Sequence, residues 1–200
     1  LQRKLSKTKR GNRAKKALTA AEMRRVLAFL ATDTSISGLR DHAIVHVLFG
    51  SGLRAAELLQ LTWADIGQDE DGGWSCVFTG KGDRNDEQPL LTESVDALRK
   101  YFRAQHRRSA QPADKVLWSL APAVGKRTVK PMTYSTLHRC IVGVGARAAA
   151  AGIVTRPGIE WSPHLLRRTS GTVLLKAGAS LVAVQHHPRA EAVGPEGHGV

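Results

Sequence analysis

The chain has 200 residues, enough for one domain of ordinary size, and 42% of them are hydrophobic, which is enough to form a core. Thirty lysines and arginines against 17 acidic residues give a formal net charge of +13, which favours a polyanionic partner, nucleic acid before membrane. The two cysteines, Cys76 and Cys140, lie far apart, so the sequence supports neither a disulfide framework nor a zinc site. This cysteine usage predicts a cytoplasmic protein, and we expect neither a metal nor a cofactor. No apolar run approaches the ~20 residues of a membrane helix, so we expect no membrane contact.

The N-terminal residues 1–17 form a predicted basic arm or interdomain linker. This segment contains no acidic residue and has almost nothing to bury, so it cannot fold alone. A solvated tail is one interpretation; we favour a strap along DNA phosphates. Since the chain begins with Leu1, we expect it to be a fragment or the downstream part of a longer protein. The basic residues of the arm, all candidate DNA contacts, are Arg3, Lys4, Lys7, Lys9, Arg10, Arg13, Lys15 and Lys16.

Helical patterns follow the arm. Thr19 precedes Glu22 by three residues, a capping box that predicts the start of the first helix and of the folded domain. Residues 39–66 predict a second apolar helix, a Gly-Ser-Gly break at 50–52, and a third short helix that carries Arg54 and Glu57.

After residue 66 the spacing of the hydrophobic residues changes from a helical to a β-type pattern. Residues 74–80 and 87–91 are short β-type runs on either side of a polar, glycine-rich connection, which predicts a hairpin with Lys81 near its tip. Helical spacing returns at 92–105. We therefore predict a mainly helical α+β fold with a small antiparallel sheet near residues 63–91.

Two further helices are predicted in the C-terminal half. One spans residues 132–152 and begins at a cap supplied by Thr133 or Ser135. The other begins at Ser162, which is followed by Pro163 at the first helical position.

The last helix carries a candidate half-site. His164 and Arg167 are three residues apart, so their side chains share a face and can address one ligand. Arg54 is a second arginine at a helix start. Two guanidiniums can neutralise a trigonal-bipyramidal phosphate, which outlines phosphoryl transfer. Taken singly, each residue also has an ordinary explanation, because arginines at helix starts usually face water and a lone histidine is more often structural.

Three segments in order resemble the tyrosine recombinase (phage integrase) catalytic domain across most of residues 18–185. They are GSGLRAAELLQLTWADI, GKGDRNDEQPL and SPHLLRRTSGTVLLKAGASLVAVQ. The resemblance implies a helical bundle with a small antiparallel sheet. It also implies a site-specific recombinase or integrase that cleaves and rejoins DNA through a phosphotyrosine intermediate.

The resemblance also assigns roles to single residues. It implies that Arg54 grips the scissile phosphate, with Glu57 as its supporting neighbour on the same helix. Lys81 matches the hairpin lysine that protonates the leaving sugar oxygen. His164 matches the residue that assists proton transfer from the nucleophile, and Arg167 completes the phosphate clamp.

The C-terminal residues 186–200 depart from the family pattern. In the family an L-G-H segment and a nucleophilic tyrosine follow, whereas no tyrosine of this chain lies beyond Arg167. Tyr101 and Tyr134 match positions that the family uses for packing or capping. We predict an atypical tail that lacks the nucleophile, which truncation, deletion or frameshift explains equally well. Its histidines have no metal-ligand spacing and are interpreted as tail residues; they are His186, His187 and His198.

We therefore expect a recombinase catalytic domain that binds double-stranded DNA and is inactive as this chain. The alternative is a non-catalytic DNA-binding remnant of the same fold. A helix-turn-helix regulator ranks lower, because it leaves Arg54 and Lys81 unexplained. The family assembles as a homo-tetramer on DNA, and the missing segment argues against that assembly here.

Overall fold

A computed structural model describes residues 17–80, 85–120 and 130–178. These residues form six helices and a three-stranded sheet, which confirms the predicted mainly helical α+β fold. The arm residues 1–16, Lys81 and the tail histidines lie outside the described residues. The helices and strands are α1 (Ala20–Ala31), α2 (Ile36–Ser51), α3 (Ala55–Gln60), β1 (Ile66–Gln68), β2 (Trp74–Thr79), β3 (Asn85–Leu90), α4 (Thr92–His106), α5 (Tyr134–Ala150) and α6 (Pro163–Lys176).

Helix α2 occupies the centre of the fold. It packs against α1, α4, α5 and α6. Its apolar residues Ala43, Ile44, Val45, Val47 and Leu48 are all buried, so core contacts surround the helix rather than following one stripe. A helix that is apolar all round belongs in a core, and the outer helices are placed by their contacts with it.

The sheet is antiparallel in the order β1-β2-β3. Its β2–β3 hairpin matches the two predicted β-type runs, with Cys76 opposite Gln88. Strand β1 was not predicted, because its three residues are too few to show an alternating pattern.

Three of the predicted helices, α1, α5 and α6, begin at side-chain caps. Thr19 caps α1 through a complete capping box. Thr133 rather than Ser135 caps α5. Ser162 caps α6 by accepting a hydrogen bond from a backbone N–H of the first turn, and Pro163 is the first residue of that helix. Each cap satisfies a backbone donor that the helix itself leaves unpaired.

The junction between the arm and the domain is held by hydrogen bonds. The Arg156 guanidinium donates to both carboxylate oxygens of Glu22, at 2.6 and 2.7 Å, and also donates to the carbonyl of Ala17 at 2.8 Å. These hydrogen bonds with Arg156 lower the pKa of Glu22 to about 2. The buried Leu18 donates its backbone N–H to Thr169 of α6 at 3.1 Å. The arm therefore joins the fold at a rigid point beside α6.

Gly145 of α5 lies against the indole of Trp161, the residue before the α6 cap. A Cβ at Gly145 would come within 2.1 to 2.6 Å of three ring atoms of Trp161, whereas a Cβ at Gly143 of the same helix would meet nothing within 4 Å. We expect Gly145→Ala to destabilise the domain by about 1–3 kcal/mol, because the indole must move. Gly143→Ala should stabilise it by about 0.5–1 kcal/mol, since alanine favours a helix interior.

Thermal unfolding of the two variants measures this difference. A change of 1 kcal/mol in the free energy of unfolding shifts the Tm of a domain of this size by about 2–4 °C. Gly145→Ala should therefore lower the Tm, and Gly143→Ala should raise it. Equal shifts in the same direction would contradict the packing of Trp161 against α5.

Candidate phosphate-binding site

The turn between α2 and α3 places Arg54. Gly52 ends α2 in the left-handed conformation, with φ 67° and ψ 17°, which glycine adopts without strain. The predicted break at 50–52 is shorter than expected, because α2 continues through Ser51. Leu53 follows and is buried, so the turn is anchored in the core. Arg54 then has an extended backbone and stands immediately before α3.

Glu57 ties Arg54 to the helix that follows it. One carboxylate oxygen of Glu57 accepts from the Arg54 backbone N–H at 2.6 Å, and the other accepts from Arg54 Nη1 at 2.6 Å. The Glu57 side chain is 8% exposed, whereas that of Arg54 is 58% exposed. A buried carboxylate therefore orients a guanidinium that remains open to solvent.

Arg167 reaches the same carboxylate from α6. Its Nη1 lies 4.0 Å from Glu57 Oε2 and donates a hydrogen bond to the carbonyl of Gly52. Leu165 and Leu166, next to it on α6, are fully buried and hold the helix against the core. The two arginines, far apart in the sequence, thus both lie next to one glutamate.

His164 completes the group on α6. It lies in the first turn of the helix, and its side chain is exposed. Together with Arg54, Arg167 and Tyr134 it lines a pocket of about 160 Å³. The remaining wall is apolar and consists of Leu53, Ala55, Ala56 and Pro163. The structure therefore brings Arg54, His164 and Arg167 to one cavity.

The charge of this pocket favours an anion. Burial lowers the pKa of Arg167, the nearby charge of Arg54 lowers it further, and Glu57 opposes the shift. Arg167 nevertheless remains cationic at neutral pH, since an arginine pKa lies far above 7. One carboxylate faces two cations, and an anion between the guanidiniums would relieve their repulsion. Apolar walls strengthen such an interaction by excluding water.

The two tyrosines occupy different environments. Tyr101 is fully buried and donates its hydroxyl to the Trp118 carbonyl at 2.7 Å, in keeping with the predicted packing role. Burial raises the pKa of Tyr101 to about 12. Tyr134 differs from the expectation of packing or capping, because Thr133 supplies the cap while the Tyr134 side chain is 53% exposed and lines the pocket. The sequence places Tyr134 directly after the Thr133 cap, and this position does not indicate that its side chain would lie beside residues of α3 and α6.

The remaining predicted sites are not placed by the structure. Lys81 belongs to the connection between β2 and β3, and residues 1–16 and 179–200 are also outside the described part. Among residues 17–80, 85–120 and 130–178, no group of three or more histidine, cysteine, aspartate or glutamate side chains could hold a metal ion. No helix in this same part of the chain is long and apolar enough to cross a bilayer.

Solved structures share this fold. A XerA recombinase superposes with a TM-score of 0.63 at 27% identity, over 86% of this chain and 54% of that one. A XerH site-specific recombinase, bound to its palindromic difH substrate in a post-cleavage complex, gives a TM-score of 0.67 at 19% identity, over 90% of this chain and 47% of that one.

Sequence relatives agree with the fold. The chain is 30% identical over 184 residues to the tyrosine recombinase XerD of Ralstonia nicotianae, covering 92% of this chain and 54% of the relative. It is 29% identical to the tyrosine recombinase XerA of Thermococcus kodakarensis, over 85% of this chain and 52% of the relative. The chain thus spans about half the length of these relatives. The model of the phage integrase family matches residues 16–187. The chain therefore belongs to the phage integrase family of tyrosine recombinases.

Proposed function

We propose that the chain carries the catalytic domain of a site-specific DNA recombinase, and that its pocket binds the scissile phosphate of double-stranded DNA. The observation that carries the proposal is the placement of Arg54 and Arg167 around the buried Glu57. The XerH relative in fold is bound to a DNA substrate, and a transposon integrase of the same fold is in complex with circular intermediate DNA. Both support DNA as the partner.

The proposed roles follow from the hydrogen-bond donors and the charge that each arginine side chain can offer to a phosphate. Arg54 uses Nη1 for Glu57, and a guanidinium has five N–H donors, so donors remain for phosphate oxygens. Arg167 adds a second positive charge, 4.0 Å from the same carboxylate. In the transition state the phosphate gains negative charge, and two fixed cations stabilise that state more than the ground state.

Two residues would handle protons. His164 lies exposed at the pocket, where an imidazole can accept the proton of an attacking hydroxyl. Lys81 would protonate the leaving sugar oxygen from the hairpin that joins β2 and β3. The attacking phenol oxygen would form a bond to phosphorus as the bond to the sugar oxygen breaks, which leaves DNA covalently attached to a tyrosine.

We further propose that the 200-residue polypeptide binds DNA but does not cleave it. No tyrosine follows α6 in these residues, which is where the family has its nucleophile. Tyr101 is buried and its hydroxyl is hydrogen-bonded to the Trp118 carbonyl, and Tyr134 lies on α5, before α6 in the chain. The alternative, a DNA-binding remnant of the fold, shares this behaviour. The two differ in whether Arg54, Lys81, His164 and Arg167 still support cleavage once a nucleophile is supplied.

Single arginine substitutions test the pocket. We expect Arg54→Ala and Arg167→Ala each to weaken binding to a labelled duplex about tenfold or more, since a charge-assisted hydrogen bond contributes about 1.5–3 kcal/mol. Loss of one phosphate contact should also lower the salt slope of binding by about 0.9. Fluorescence anisotropy at several salt concentrations measures both quantities.

Arg25→Ala is the matched control. Arg25 is an exposed arginine of α1 that does not line the pocket, and its loss removes the same charge. We expect it to weaken binding less than about twofold, as a single exposed charge contributes little. If Arg54→Ala and Arg25→Ala had equal effects while both variants kept their Tm, the pocket would not be the phosphate site.

A further inference from the structure

Tyr134 presents a free hydroxyl at the phosphate pocket. The residue is the first of α5, its side chain is 53% exposed, and it lines the cavity with Arg54, His164 and Arg167. Within the described part of the chain, its hydroxyl makes no hydrogen bond, in contrast to the buried hydroxyl of Tyr101. A donor at a cationic pocket is therefore left available for a ligand.

The ring of Tyr134 is supported from its own helix. It stacks on His138 one turn later, with ring centroids 6.2 Å apart and an interplanar angle of 29°. Such a contact between residues four apart restricts the orientations of an exposed side chain. The phenol thus has a supported position at the rim of the cavity.

The backbone around Tyr134 also favours an anion. Tyr134 and Pro163 are the first residues of α5 and α6, which have 17 and 14 residues, and both line the pocket. The N-terminal end of a helix carries a partial positive charge. Two such ends add to the charge of the two guanidiniums.

We infer that Tyr134 contacts the substrate by donating a hydrogen bond from its hydroxyl to a non-bridging oxygen of the DNA phosphate held in this pocket. The inference rests on the proposed function, since it needs the pocket to hold a phosphate. The charged groups that line the pocket, Arg54 and Arg167, are cations that only donate hydrogen bonds. The ligand must therefore offer acceptors, and a phosphate oxygen can also accept from the Tyr134 hydroxyl. The ring would at the same time extend the apolar wall alongside the sugar.

Tyr134→Phe tests this contact, because it removes the hydroxyl and keeps the ring. We expect it to weaken binding to a labelled duplex about tenfold, the effect of losing a hydrogen bond to a charged group. The salt slope should stay unchanged, since a phenol carries no charge to exchange for counterions, whereas Arg54→Ala should lower the slope. The Tm should also be unchanged, since an exposed hydroxyl adds little to stability.

Ser135→Ala is the matched control, since it removes an exposed hydroxyl from the next residue, which does not line the pocket. It should bind duplex as the unmodified chain does. Wild-type affinity of Tyr134→Phe, together with weak binding of Arg54→Ala, would overturn the hydrogen bond and leave the proposed function standing. Wild-type affinity of Arg54→Ala and Arg167→Ala would overturn both.

Discussion

No covalent adduct is expected between the 200-residue polypeptide and a nicked suicide duplex, although the same mixture should show duplex binding. In the proposed mechanism, the four site residues would stabilise a pentacoordinate phosphate and protonate a leaving group. Rejoining, however, requires the energy of the broken bond to be stored in a covalent intermediate, and that requires a nucleophile. A pool of nicked duplexes with randomised sequence around the nick provides the substrate, and a denaturing gel with peptide mapping detects the adduct.

An extended chain supplies the positive control for this experiment. A family-type segment with its histidine and tyrosine, appended after Gln185, should restore adduct formation. The same segment with phenylalanine in place of the tyrosine should not. Failure of the extended chain, despite normal folding and DNA binding, would count against the four-residue site and favour the DNA-binding remnant.

The pocket tyrosine makes one outcome especially informative. Tyr134 is the tyrosine that lines the cavity, whereas Tyr101 is buried. An adduct formed by the unmodified chain and lost in Tyr134→Phe would show that Tyr134 attacks the phosphate. That result would overturn both the proposed inactivity and the proposed hydrogen bond.

Non-specific duplex binding should depend strongly on salt. Neutralising a phosphate releases condensed counterions, so about 6–10 contacts would reduce affinity roughly 10³- to 10⁵-fold between ~50 and ~200 mM salt. The arm should supply much of this dependence, because it holds eight of the basic residues, and removing them from a net charge of +13 leaves +5. Titrations of the full chain and of a variant without residues 1–16 measure the difference.

The structure sets where that truncation must end. The Ala17 carbonyl accepts a hydrogen bond from Arg156, and Leu18 is buried with its N–H bonded to Thr169. Removal of either residue would perturb the fold, whereas a chain beginning at Ala17 keeps both contacts. The Tm of this variant should match that of the full chain.

Neutralising the arm without shortening it provides the control. A chain in which the eight basic residues become glutamine keeps its length, and it should show the same flattened salt slope as the truncated chain. A slope unchanged in both variants would mean that the arm is a solvated tail. A slope flattened by truncation but not by the glutamine substitutions would contradict the charge of the arm as its source.

Local structure could be predicted from the sequence because it depends on residues only a few positions apart along the chain. The Thr19 and Ser162 caps, the hairpin around Lys81 and the shared face of His164 and Arg167 all follow from spacings of a few residues. The family resemblance rests on the same short segments. Where local rules have too few residues to act on, as in β1, prediction failed.

The pocket itself was decided by tertiary packing. Arg167 comes near Glu57 and Arg54 only because α6 packs against the central α2, which ends at the Gly52 turn. Tyr134 joins them because α5 is placed by the same core, and no spacing along the chain relates it to the other residues of the pocket.

The sequence by itself therefore determined the helices and the β2–β3 hairpin of the described residues, the charge of the chain, and the two arginines and the histidine of the candidate site. Only the tertiary structure decided that Arg167 comes within 4.0 Å of the carboxylate that orients Arg54, that a tyrosine lines the same pocket, and that Gly145 must remain small beside Trp161. The physical reason is that helix caps and periodicity are short-range properties. A cavity forms where separate helices meet, and their meeting is set by burial of apolar surface across the whole chain.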